Sequence, residues 1–307
     1  MGKLEKTAVS IIAIILLLLT GAFVFQSMMT YRGSVVYRVS VLLENIPDDH
    51  ISGLRHGMEQ SAASYNIDLK FISVSGGDVS VLDRELENDV SAIVVSTFPG
   101  GAVATWLNNQ NLNIPVISLD RATHAKNITA HVGAEEERIG THLGTRIVVT
   151  NNMLAEDSVA IFTTDASHNS DRIATLMLRL SQSGIVPPIY YLDGINTIDF
   201  YLSNSDKQLL VSVDNSATEA LCDYISQSEK LYRIIASDYT DKTLDYLESG
   251  RIECLVIQSQ FELGYFGIEN AYAAIQGEKI SDIHLGVFVA TQSNMYNEMA
   301  PILFPVY

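Results

Sequence analysis

Along this chain, short apolar runs end repeatedly in residues suited to reading hydroxyl groups. Asp120 and Arg121 close IPVISLDR (114–121), Asp238 closes IIASD (234–238), and Gln258 follows CLVI (254–257). Asp214 and Asn215 come directly after LLVSV (209–213), Asn169 and Arg172 shortly after SVAIFTT (158–164), Thr97 and Phe98 at the end of SAIVVST, and Asp48, Asp49 and His50 shortly after YRVSVLL (37–43). A carboxylate accepts several hydrogen bonds and a guanidinium donates up to five in a fixed fork. A neighbouring Asp-Arg pair can therefore hold adjacent hydroxyls of a polyol while each balances the other's charge. That chemistry is recognition, not bond breaking.

Each residue also has a plainer use. Asp120 could close a turn with Arg121 in solvent, and Asp48, Asp49 and Asp214 could be N-caps of the helices they precede. Arg172 could sit on an exposed helix face, and Gln258 could satisfy backbone groups at a strand end. Repetition of polar groups at successive strand ends is what favours a shared site.

Reactive chemistry finds less support. The sequence contains no G-x-S-x-G elbow, no G-x-x-x-x-G-K-[ST] loop and no G-x-G-x-x-G fingerprint. Asp165, Ser167 and His168 are triad residue types, but neighbours on one loop seldom reach triad geometry. The histidines show no metal-ligand spacing, and His131, on a strand, reads as a packed residue. Trp106 reads as packing on a helix. No enzyme activity, cofactor or metal is expected.

The elements that would position these residues follow a βαβ rhythm. YRVSVLL, LKFISV, SAIVVST, IPVISL and ITAHV are strand-like, β-branched runs, with helical periods between them at Ile51 to Ala62, Val81 to Leu86 and Ala102 to Leu112. Helical spacing returns at Ile139, Leu143 and Ile147, at Ile173 to Leu180, at Ala217 to Ile225 and at Gly264 to Ile275. Strands are expected at SVAIFTT, PIYYLDGI, LLVSV, YRIIASD, CLVIQSQ and HLGVFVA (284–290). Roughly ten parallel strands exceed one small sheet, so the expectation is an α/β fold of two doubly wound lobes. No linker rich in Pro, Gly or Ser separates them, which suggests several crossings instead of one tether. In open parallel sheets ligands bind at the carboxyl ends of the strands, where the polar residues above fall.

At the start of the chain, Thr7 to Phe25 is an uncharged apolar run preceded by Lys3 and Lys6, long enough for a membrane-spanning signal anchor with the remainder outside the cytosol. A cleaved signal peptide is the competing reading, but Gln26-Ser27-Met28-Met29 is a poor cleavage site. No cysteine precedes Cys222, so a lipoprotein anchor is not expected. Without residues 1–36 the chain carries 16 basic and 35 acidic side chains, a net charge of −19 that repels phosphate backbones and argues against nucleic acid as a partner. Cys222 and Cys254 read as a pair of buried free thiols.

Taken together, NIPVISLDR (113–121) and HVGAEEERIGTHLG (131–144) resemble the type I periplasmic binding proteins, the group of ribose- and galactose-binding proteins and the ligand domains of lactose-repressor-like regulators. The resemblance covers about 37 to 293. NSDRIATLML is similar to the segment that supplies the family's ligand-binding arginine, at Arg172; IIASD to the strand bearing its aspartate, at Asp238; and VIQSQFELG to the hinge strand bearing its glutamine, at Gln258. The family often has an Asn-Pro-aromatic-aromatic loop after the first strand; here PDDHI stands there, with Asp48 and His50 at the matching positions.

The resemblance implies two lobes joined by three crossings that close over a small sugar or polyol. The expected division is an anchor at 1–36, one lobe from 37–135 plus 259–283, and the other from 136–258 plus 284–307. Ligand-binding residues would be Asp48, His50, Asp120, Arg121, Arg172, Asp214, Asp238 and Gln258. The expected role is a membrane-anchored extracytoplasmic solute-binding protein of an ABC-type sugar transporter that docks on a membrane permease. The alternatives are a ligand sensor that reports to a membrane sensor histidine kinase and, third, an extracytoplasmic hydrolase. The acidic body and the apolar run in place of a helix-turn-helix argue against DNA regulation.

Overall fold

Alternating β-branched residues make β1 (Tyr37–Glu44), whose Val39 and Val41 are fully buried, and β1 pairs in parallel with β2 (Ile67–Val74) on one side and β3 (Ala92–Ser96) on the other. This computed structural model describes residues 20–21, 35–44, 52–74, 76–96, 101–123, 125–151, 158–165, 169–193, 195–203 and 205–305. The apolar run 7–25 lies almost wholly outside them, as do Asp48, Asp49, His50, Thr97 and Phe98. Among the described residues no helix is long and apolar enough to cross a membrane.

The first lobe has a six-stranded sheet in the order β11-β5-β4-β3-β1-β2, where β4 is Val116–Leu119, β5 is Ile128–Gly133 and β11 is Ile283–His284. The second repeats that order as β12-β10-β9-β8-β6-β7, with β6 at Val159–Thr163, β7 at Ile189–Tyr191, β8 at Leu209–Ser212, β9 at Arg233–Ser237, β10 at Ile252–Ile257 and β12 at Phe288–Ala290. Each is a doubly wound sheet, with strand carboxyl ends diverging at a switch point.

The helices fill both faces. In the first lobe they are α1 (Ser52–Tyr65), α2 (Ser80–Leu86) and α3 (Ala102–Asn109). The chain then crosses after β5 into α4 (Glu136–Asn151), which packs on β9 and β10 of the second lobe. α5 (Ser170–Ser181), α6 (Ile195–Leu202), α7 (Asn215–Gln227) and α8 (Asp241–Glu248) follow, and after β10 the chain crosses back into α9 (Gln260–Ile275), which packs on β3, β4 and β5. α10 (Ala300–Leu303) lies near the end.

Three local readings need correction. HLGVFVA is not one parallel strand: Ile283–His284 pairs parallel with β5, the chain then changes sheets, and Phe288–Ala290 pairs antiparallel with β10. The expected helix at 102–112 stops at Asn109 because Asn127, in the left-handed region at φ 76°, donates through Nδ2 to the carbonyls of Leu107 and Gln110. The run PIYYLDGI is strand only over Ile189–Tyr191 and enters α6 at Ile195. Helix α8, not expected, is set by a capping box: Thr240 Oγ1 accepts from the Thr243 N–H and Thr243 Oγ1 accepts from the Thr240 N–H.

Cys222 and Cys254 are free and buried in separate apolar clusters, and burial pushes each thiol up to about 12. The α1–α9 pair is closed by Gly57 and Gly264: a Cβ at Gly264 would overlap the Leu54 carbonyl oxygen, and one at Gly57 that of Phe261. The α4–α5 pair repeats the device at Gly140, whose Cβ would overlap the Arg172 carbonyl oxygen. Glycine to alanine in a helix ordinarily gains about 1 kcal/mol of propensity. Here Gly264→Ala should instead lower stability by about 1–3 kcal/mol through overpacking, read as a drop in the urea midpoint at unchanged slope.

Candidate ligand-binding site

The two lobes place an aspartate at corresponding strand ends. Asp120 follows β4 with φ 67° and Asp238 follows β9 with φ 62°. Each backbone N–H donates to the neighbouring strand, Asp120 to the Val132 carbonyl at 2.9 Å and Asp238 to the Val256 carbonyl at 2.9 Å. Aspartate tolerates this left-handed conformation better than most residues, and it turns the chain off the sheet at the carboxyl end. The shared backbone geometry is the product of VISLD in one lobe and IIASD in the other.

Gln258 joins the crossings. It is buried, its Oε1 accepts the Ala134 N–H at 2.8 Å, and its Nε2 donates to Asp120 Oδ1 at 2.5 Å. Both amide atoms are engaged, so the second crossing is pinned to the first and to the end of β4.

Arg172 is the third residue of α5 and is 0% exposed. Its Nε donates to Glu136 Oε2 at 2.6 Å and its Nη2 to Glu136 Oε1 at 3.1 Å, a bidentate pair with the first residue of α4. Nη1 reaches the Val213 carbonyl at 2.7 Å, Ser237 Oγ at 2.8 Å and Asp238 Oδ2 at 2.9 Å. Burial alone would lower its pKa, but the charges of Glu136 and Asp238 outweigh that and raise it, so the guanidinium stays charged. The exposed-helix alternative is therefore not what the fold shows.

Asp214 caps α7. Its carboxylate takes five protein donors: Thr163 Oγ1, the Thr164 N–H and Oγ1, Asn169 Nδ2 and the Ala217 N–H. This saturates it and ties the β6–α5 loop to β8. Asn169 is buried and donates to Thr163, Asp165 and Asp214, while its Oδ1 has no partner. Arg121 is half-buried with an unpartnered Nε.

The structure thus brings Asp120, Arg121, Arg172, Asp238 and Gln258 to the junction of the lobes, sets Asp214 beside them as a cap, and leaves Asp48 and His50 outside the described residues. Glu136 is the residue the sequence reading lacks. Its signal is an acid in the first turn of a helix that starts just after a strand, which reads as ordinary helix-dipole chemistry until its partner is known. A cleft of about 330 Å³ opens beside this junction, bounded by Ser52 and His56 of α1, Gln260, the Tyr239–Asp241 turn and Phe304. Among the described residues no group of side chains could hold a metal ion.

Asp120 is half-buried, and burial, with the charges of Asp238 and Glu136, raises its pKa to about 6 against the lowering effect of Arg121 and Arg172.

A family model described as a periplasmic binding protein domain matches residues 39–279. Among curated proteins, the periplasmic protein TorT of Escherichia coli O157:H7 is 23% identical over 129 residues, which span 41% of this chain and 38% of that protein's length. Among solved structures, a carbohydrate transporter solute-binding protein from Agrobacterium radiobacter in complex with D-arabinose superposes with a TM-score of 0.74 at 20% identity, covering 86% of this chain and 97% of that one. An ABC transporter solute-binding protein from Bacillus halodurans with bound myo-inositol gives 0.72 at 19% identity, covering 88% and 99%.

Two outcomes follow from the charge network. Arg172→Ala leaves two carboxylates facing each other without their cation and should cost about 3–5 kcal/mol in equilibrium unfolding. Because the folded-state pKa of Asp120 is raised, the folded protein binds this proton more tightly than the unfolded chain. Its contribution is thus most favourable at low pH and is lost as pH rises through about 6. The melting temperature of Asp120→Asn relative to the parent should climb across that window, which a pH series of thermal melts reads directly.

Proposed function

The chain belongs to the periplasmic binding protein family, and on that premise we propose that it captures a small sugar or polyol between its lobes, as the solute-binding component of an ABC-type sugar transport system. The observation that carries this reading is the pair of matched strand-end aspartates in opposite lobes, Asp120 tied to the crossings through Gln258 and Asp238 held by Arg172. Arg121, with an unpartnered Nε, supplies a donor beside Asp120. Closure excludes water and strengthens each hydrogen bond made to a ligand's hydroxyls. Solved relatives that carry arabinose and myo-inositol support the ligand class. Asp48 and His50, which lie outside the described residues, are proposed as further ligand groups.

We place the protein outside the cytosol, held by the apolar run Thr7 to Phe25 as an anchor, with the lobes divided at 37–135 plus 259–283 and 136–258 plus 284–307. Its closed form then docks on a membrane permease. Docking on the outer domain of a sensor kinase is the second reading, favoured by the lack of a lipoprotein cysteine after that run.

A thermal-shift screen of pentoses, hexoses and cyclitols tests the capture step. A ligand present at about 100 times its Kd stabilises by about 2.7 kcal/mol, a readily measured rise in Tm. At least one of these sugars should produce it, and Arg121→Ala should reduce it. A screen in which no sugar moves the Tm would overturn the reading.

A further inference from the structure

Within that capture reading, on which this rests, we propose that the ligand carries a positive charge as well as hydroxyl groups: an amino sugar or an amino polyol. Among the described residues, the buried polar atoms left without a partner around the junction include two acceptors, Asp238 Oδ1 and Asn169 Oδ1, and one donor, Arg121 Nε. Arg172, the strongest donor, is fully buried and its guanidinium meets five acceptor atoms of Glu136, Val213, Ser237 and Asp238. Gln258 donates one amide N–H to Asp120, and its amide oxygen accepts the Ala134 N–H. Arg121 Nε is a buried donor still without a partner among the described residues.

The acceptors are less committed. Asp238 is 8% exposed, and only its Oδ2 is bonded; Oδ1 is buried without a partner. Asn169, 1% exposed, likewise buries an unpartnered Oδ1 while its nitrogen makes three bonds. Buried acceptors without donors are costly, and a ligand that supplies N–H or O–H groups removes the cost.

Charge points the same way. The carboxylates Asp120, Glu136 and Asp238 face the guanidiniums of Arg121 and Arg172, and Glu136 spends both oxygens on Arg172. Asp238 is then a second carboxylate on an arginine already paired. A neutral sugar satisfies hydrogen bonds but leaves the excess negative charge in place. An ammonium group supplies three donors and the missing charge together, whereas a sugar acid adds to the excess.

The test is calorimetric titration of the full chain with D-glucosamine and D-galactosamine, with D-glucose and D-galactose, and with the corresponding uronates, at low and at high salt. Each amine should bind about tenfold or more tightly than its neutral parent, the advantage should shrink with salt, and uronates should bind weakest. Asp238→Asn and, from the other lobe, Asp120→Asn should each bring the amine-to-neutral ratio close to one. Neutral sugars or uronates that bind as tightly as the amines, or a ratio unchanged in both variants, would overturn the inference and leave sugar capture standing. If no member of the panel binds, sugar capture fails and this inference fails with it.

Discussion

The burial of the Arg172 guanidinium constrains everything around it. A charge removed from water is tolerated only when its donors are met, and here the acceptors come from three separate elements: the start of α4, the end of β8 and the end of β9. α5 must therefore enter beside the strand ends at a fixed depth, which the close approach of Gly140 to the Arg172 backbone allows. Ser237 and Asp238 are held by the same cation, so a single side chain sets the geometry at the end of β9.

The first lobe repeats the scaffold without the charge. Gly264 of α9 lies against the Leu54 backbone as Gly140 of α4 lies against that of Arg172, and Leu54, like Arg172, is the third residue of its helix. Leucine at that place packs in the apolar cluster, while arginine builds an ion network. Two lobes of one topology thus differ in chemistry at this helix position: aliphatic packing at Leu54 in the first, an arginine clamp on Asp238 in the second. The asymmetry is recorded in one residue type at matched helix positions.

Much of this was readable from the chain. The strands announced themselves through β-branched runs, and the doubly wound class through their alternation with helical periods. Asp120, Asp238, Arg172 and Gln258 were identifiable because each follows such a run or opens the helix after it. What was not readable depended on contacts between distant segments. Glu136 looked like a dipole-compensating acid until the fold placed Arg172 on it. Asn127 ended α3 from across a loop, and the division of HLGVFVA between two sheets depended on where the chain had to go next. Asp214 was ambiguous between cap and ligand because both uses need an acceptor at the same place.

The glycine-closed helix pairs carry a mechanical implication. With backbone pressed against backbone at Gly57, Gly264 and Gly140, neither lobe has slack to deform internally when the cleft fills. On the capture reading proposed above, compliance would lie in the three short crossings, and the angle between the halves would change while each half kept its shape. On that same reading, a receptor that responds to occupancy would have to touch both bodies at once, behaving as a caliper and not as a probe of one face.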